Sequence, residues 1–186
     1  MSKAIEHLLR EHVLIQRSLG AFQAFAATLH SGSSSAQHRQ ELWPLLDYLC
    51  EVVMLRHEEK EETLLLPELS HRGEPWNEGP LAGTRRDHRH GRYLVRSLHQ
   101  ALHQAQAWTR DDERHFGALV TEWINFNRGH MEREERILFP LAAKDLDAFT
   151  HDRLAACFEK VDAEVAALPG SRELTERAEA FLRQFA

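Results

Sequence analysis

The sequence predicts an all-α protein: an up-down-up-down four-helix bundle followed by two further C-terminal helices. Three observations carry this. Apolar residues recur at helical spacing nearly everywhere, with no convincing period-2 stretch. The helix breakers cluster between four long periodic segments and leave short connections. One segment is almost duplicated: His57-Glu58-Glu59-Lys60-Glu61-Glu62 runs on to Pro67, and His130-Met131-Glu132-Arg133-Glu134-Glu135 runs on to Pro140. In each copy a Glu follows the His at i+4, where it shares one helix face with it. Each copy therefore aims one imidazole and one carboxylate at the same point.

Helix one is expected over about residues 2 to 30, with an unbroken 3-4 seam of Ile5, Leu8, His12, Ile15, Leu19, Phe22, Ala26 and Leu29. Ser31-Gly32-Ser33-Ser34-Ser35 ends it and supplies caps for the next. Helix two is expected over 36 to 71, with Leu46, Cys50, Val53, His57, Glu61 and Leu64 inward. Pro44 and Pro67 should bend or interrupt it, because each removes a helical N–H and crowds the preceding turn. Arg72 to Pro80 form a loop. Helix three follows over 81 to 108, with His88, Gly91, Val95, Leu98, Leu102 and Ala105 in its seam. Thr109-Arg110-Asp111-Asp112 reads as a turn with a Thr cap and an acidic first turn. Helix four, 111 to 143, points Phe116, Leu119, Trp123, His130, Glu134, Ile137 and Leu141 inward. Thr150 can cap a helix to about Leu168, Pro169-Gly170-Ser171 breaks it, and Ser171 can cap a last helix to Phe185. Residues 1–145 are thus expected to form the bundle. Residues 146–186 form a helical extension that covers the bundle or makes a homodimer contact, and it carries no ligand cluster.

The net charge of −6 gives no basic footprint, so nucleic acid is not an expected partner. No apolar run is long enough to span a membrane. The charged start, Met-Ser-Lys-Ala-Ile-Glu-His, does not read as a signal peptide. Cys50 and Cys157 form no CxxC and read as reduced thiols, which points to the cytoplasm. Thirteen His make metal binding worth testing.

Counting at about 1.5 Å per residue from each turn places His12, His57, His88 and His130 at one level, roughly 27 to 31 Å from the turn beside each. Glu61 and Glu134 sit one turn further on. A lone His on an apolar seam is more often a satisfied core residue than a ligand, and an EE pair is usually a solvated face. Convergence of all six at one level separates them from that bland reading. Two buried carboxylates without a cation are costly, and no Lys or Arg lies on the four seams to neutralise them. The six form a nitrogen and oxygen cage suited to two iron-like metals. His90 faces away. His99 and His103 have i, i+4 spacing but lie roughly 16 and 22 Å from His88 along the helix, and read as flank residues. His7, His30, His38, His71, His115 and His151 read as solvated or capping. Glu58 is either an extra ligand or a neighbour of the site. Tyr48 and Tyr93 are within possible approach.

Four elements in order carry a family resemblance: Glu11-His12-x-x-Ile15; His57-x-x-x-Glu61-Glu62 with Leu66-Pro67; Asp87-His88; and His130-x-x-x-Glu134-Glu135 with Phe139-Pro140. Over roughly residues 4 to 143 the chain resembles the hemerythrin-like proteins of the HHE cation-binding family, in its four-His, two-Glu branch. The resemblance implies a four-helix bundle with a non-haem di-iron centre. In it His12, His57, His88 and His130 would be terminal ligands and Glu61 and Glu134 bridges. Oxygen-carrying members have a second His four residues from the first on the third helix; here Thr84 and Arg92 occupy those spacings. The carriers also place an Asp one residue after the position of Glu134.

Four His and two bridging carboxylates fill about eight of roughly twelve positions on two octahedral metals, and an oxo or hydroxo bridge fills about two more. About one open position per metal remains, which favours redox chemistry with oxygen, peroxide or nitric oxide over reversible oxygen carriage. The expected cofactor is therefore two iron ions, with manganese or zinc suiting the site less well. A di-iron oxidoreductase, such as a peroxide-disproportionating enzyme, is one outcome. A non-catalytic iron- or oxygen-binding regulatory module is the second, and a structural helical bundle without metal is the third.

Overall fold

Among the residues that the computed structural model describes (2–29, 42–43, 46–47, 55–103 and 109–185) every regular element is helical and there is no strand. Helix α1 spans Lys3–Leu29. Helix α2 comprises Leu55–Lys60, a π turn over Glu61–Leu65, and Leu66–His71. Helix α3 spans Gly79–His103. Helix α4 comprises Arg110–Arg133, a π turn over Glu134–Leu138, and Phe139–Asp145. Helices α5 and α6 span Ala148–Ala166 and Ser171–Phe185. Expectations for Ser31 to Ser35, His30, His38, Pro44, Tyr48, Cys50, Val53, Ala105 and the remainder of helix two before Leu55, apart from 42–43 and 46–47, lie outside the described residues, and Leu46 is buried as expected.

The caps follow local chemistry. Thr109 accepts from the Asp112 backbone N–H, while the Asp112 carboxylate accepts from the Thr109 N–H, a reciprocal capping box at the start of α4. The start of α5 differs from expectation. Asp147 is its cap, accepting from the Thr150 N–H, because Asp147 has the extended backbone that a capping side chain needs. Gly170, between α5 and α6, has φ +82°, a conformation that favours glycine.

Each Pro of the repeat sits just after a π turn, at the start of the next α segment. The Leu66 N–H bonds back to the Glu61 carbonyl and the Phe139 N–H to the Glu134 carbonyl, an i→i+5 pattern in place of i→i+4. The extra residue shifts both inward seams by one position. Leu65 and Leu138 are buried where Leu64 and Ile137 were expected; Leu64 is half-buried and Ile137 is 52% exposed. Leu141 is likewise half-buried and Ala142 fully buried. Leu119 is half-buried, while the seams of α1 and α3 are buried as expected as far as they are described.

Two apolar cores result. One gathers Leu19, Phe22, Phe25, Leu98, Phe116 and Trp123. The other gathers Ile5, Leu8, Leu65, Leu69, Leu138 and Phe139. In α1, α3 and α4 the His residues of interest lie between members of these two cores. The C-terminal helices join both: Phe181 and Leu182 of α6 enter the first, and Leu154 and Phe158 of α5 the second. No helix among the described residues is long and apolar enough to cross a membrane.

Candidate metal centre

The polar layer between the cores contains His12 from α1, His57 and Glu61 from α2, His88 from α3, and His130 and Glu134 from α4, all buried. The six side chains converge as two sets that share both carboxylates: His12, His57, Glu61 and Glu134, and His88, His130, Glu61 and Glu134. Within each set the potential ligand atoms lie within 4.8 Å of one another.

Each carboxylate divides its oxygens between the sets. Glu61 turns Oε1 to His57 Nε2 at 3.5 Å and Oε2 to His88 Nε2 at 3.1 Å. Glu134 turns Oε2 to His12 Nε2 at 3.3 Å and His57 Nε2 at 3.9 Å, and Oε1 to His130 Nε2 at 3.1 Å and His88 Nε2 at 3.5 Å. The Nε2 atoms of His12 and His57 face each other at 3.1 Å.

Behind every inner ring stands an outer carboxylate from a different helix. Glu11 of α1 meets His57 Nδ1 at 3.1 Å, and Glu62 of α2 meets His88 Nδ1 at 2.9 Å. Asp87 of α3 lies 3.7 Å from His130 Nδ1, longer than a hydrogen bond, and Glu135 of α4 meets His12 Nδ1 at 2.8 Å. The acids follow one another from helix to helix, and three of them, Glu11, Glu62 and Glu135, bond the ring of the next helix, while Asp87 stands beside that of His130. Such partners fix the ring so that Nε2 points inward, and they raise its basicity. The sequence reading noted these acids beside the ligands but did not assign them this role. Their adjacency to His12, Glu61, His88 and Glu134 was the available signal.

Cations lock three of the four outer acids. Lys60, fully buried, binds Glu11, and Arg133 binds Asp87 through Nε at 3.0 Å and Nη2 at 2.8 Å. Arg92 binds Glu62 at 3.0 Å and Glu58 at 2.5 Å. Burial works to raise the Glu11 carboxyl, but the His57 bond and Lys60 bring it down to about 2. The His88 bond brings Glu62 down to about 2 against its burial, with Arg92 helping. Burial likewise opposes, and His130 and Arg133 outweigh it, in holding Asp87 low. Lys60 and Arg92 neutralise outer acids, so the expectation that the inner seams lack their own Lys or Arg stands beside a charged outer layer.

Several other expectations change. His7 is not solvated: it is largely buried, 3.0 Å from Asp162 of α5, with its ring against Phe158. His151 is buried too, and burial pushes its ring down. The extension does bring a cluster to the site, since Asp162 joins His7 and Glu11 around the Lys60 ammonium. Tyr93 is 58% exposed and does not approach the site. Glu58 pairs with Arg92 and also groups with Glu62 and His88; burial raises its carboxyl, against His88, Arg92 and His130. His90 is exposed, packed beside Phe126, and His99 and His103 pack on Trp43 away from the inner six.

The donor set fits a pair of metal ions. Donors about 2.1 Å from one ion and at right angles lie about 3.0 Å apart, close to the nitrogen–oxygen separations here. Both oxygens of Glu61 and of Glu134 are buried without a well-formed hydrogen bond from the described residues, as is His88 Nε2. Four carboxylate oxygens that face only imidazole Nε2 atoms are what bridging ligands would present to cations.

A helical layer of paired His and shared Glu between two apolar cores has the donor set of a cation-binding helical protein. The family model described as the hemerythrin HHE cation binding domain matches residues 3–142, and the chain belongs to that family. No curated protein and no solved structure matches it.

Proposed function

We propose that the chain is a non-haem di-iron protein that senses or processes oxygen, peroxide or nitric oxide. It would be built as an up-down-up-down four-helix bundle over residues 1–145 with the 146–186 extension packed on it. The observation that carries this reading is the division of the Glu61 and Glu134 oxygens between two His pairs, with no well-formed hydrogen bond to occupy them. His12 and His57 would hold one ion, His88 and His130 the other, and the two Glu would bridge them.

When bound, two irons would supply ferrous–ferric redox chemistry to a small molecule. The chain's own part is positioning. Glu11, Glu62 and Glu135 hold the Nε2 atoms of His57, His88 and His12 inward, and Lys60, Arg92 and Arg133 keep Glu11, Glu62 and Asp87 ionised. The two apolar cores exclude water from both ends of the polar layer. Two bridging carboxylates and octahedral positions suit iron or manganese better than tetrahedral zinc.

Iron-loaded protein mixed with peroxide or nitric oxide tests the reading. Spectral change with repeated consumption favours an oxidoreductase. Spectral change without turnover, with partial melting on chelation, favours a binding or regulatory module. No spectral change with either reagent contradicts both. A metal-independent bundle would show no change of stability or metal content in His57→Ala.

A further inference from the structure

The two halves of the candidate metal centre match in their inner residues but differ in their surroundings. The repeat relates them position by position. His12 and His88 correspond, as do His57 and His130; Lys60 then matches Arg133, Leu64 matches Ile137, and His7 matches Gly83. Lys60 binds the acid behind His57, and Arg133 the acid behind His130.

On the His57 side the groove between α1 and α2 is filled by α5. Phe158 packs its ring 5.6 Å from that of His7. Asp162 binds Lys60 at 2.5 Å and His7 at 3.0 Å, and Lys60 is wholly buried. On the His130 side no equivalent plug is present among the described residues. Arg133 is half exposed, Ile137 is half exposed, and a Cβ added to Gly83 would meet nothing within 4 Å. A cleft of about 330 Å³ lies there, between the start of α3 and the π turn of α4. Gly79, Pro80, Gly83, Ile137 and Leu138 make its walls mostly apolar. Two ligand-set residues, His130 and Glu134, line it as well, with Asp87, Arg86 and Arg133.

We propose that this cleft is the entrance for a small uncharged metal ligand, and that the ligand reaches the ion held by His88 and His130. The inference rests on the di-iron reading. Apolar walls admit a neutral molecule without desolvating a charge. The absent side chain at Gly83 keeps the passage wide, while α5 closes the matching route to the His12 and His57 ion. The π turn contributes directly, since its extra residue turns Ile137 out of the core and onto the cleft.

The test uses the full chain and its Gly83→Trp variant, both loaded anaerobically with ferrous iron, with metal content measured and nitric oxide as the probe in rapid mixing. The expected result is about two irons in each protein and association slower by about tenfold or more in the variant. Equal rates at equal iron content would overturn the entrance and leave the metal site standing. Iron absent from the unsubstituted chain would overturn the di-iron reading and this inference with it. If Gly83→Trp folds or loads poorly, Ile137→Trp at an already exposed position gives the same reading: slowed association supports the cleft, and an unchanged rate overturns it.

Discussion

Glu11, Glu62, Asp87 and Glu135 each stand behind a histidine from another helix, so their removal should loosen metal without removing a ligand. Glu135→Ala is expected to weaken metal affinity by about 10- to 100-fold, read by competition with a chelator; unchanged affinity would mean the outer acids are incidental. A second residue-scale prediction concerns pH in the metal-free chain. Burial pushes the His57 ring down, but Glu61, with Glu11 and Glu134, lifts it from 6.5 to about 10. Burial also opposes the Glu134 shift, and His130 with the other rings holds that carboxyl well below 4.5. A raised His contributes its stability in full below pH 6.5 and loses it as pH rises through about 10. A lowered Glu contributes above 4.5 and loses it as pH falls towards its folded value. The denaturation midpoint of the metal-free protein should therefore fall between about pH 6.5 and 10, while metal affinity rises over the same range because ligand rings must shed protons. A midpoint that rises with pH there would contradict the His–carboxylate pairing.

Among the helices, much was legible before the structure. The seams of α1 and α3 follow from unbroken 3-4 spacing, and the Thr109 cap from its position before an acidic turn. Thr109→Ala should cost about 1 kcal/mol, measured by urea denaturation, and no loss would mean that tertiary packing alone sets the start of α4. The π turns were not legible. Pro67 is expected to bend or interrupt helix two, and Pro140 stands inside what reads as an unbroken helix four; a proline is compatible with a kink, a break or an i→i+5 turn, and backbone hydrogen bonding decides among them. That choice moved Ile137 from an expected core position to the surface. The six inner residues were readable because 3.6-residue periodicity fixes their faces and level. The pairing of each outer acid with a neighbouring helix depends on the packing of helices, which spacing along one helix does not encode. Asp162 was hidden for the same reason, as α5 carries no cluster of its own.

At the scale of the whole molecule, α5 ties the C-terminal segment to the metal layer through Lys60. Lys60 is fully buried between Glu11 and Asp162, so Lys60→Met would leave Glu11 without its ammonium partner and Asp162 with only Arg56, at 3.5 Å, and His7. The expected cost is about 3 kcal/mol or more, seen as a lower denaturation midpoint, and a neutral effect would show that α5 is held without Lys60, by its apolar contacts and its other ion pairs such as Arg153–Glu68 and Lys3–Asp152. The central claim is the two-metal cage, and metal content per chain tests it most directly. Elemental analysis of protein purified without an affinity metal column should give about two irons per chain, with one or both lost in Glu61→Ala and Glu134→Ala and both retained in His99→Ala. No bound metal after anaerobic ferrous loading, or equal loss from all three variants, would contradict the cage.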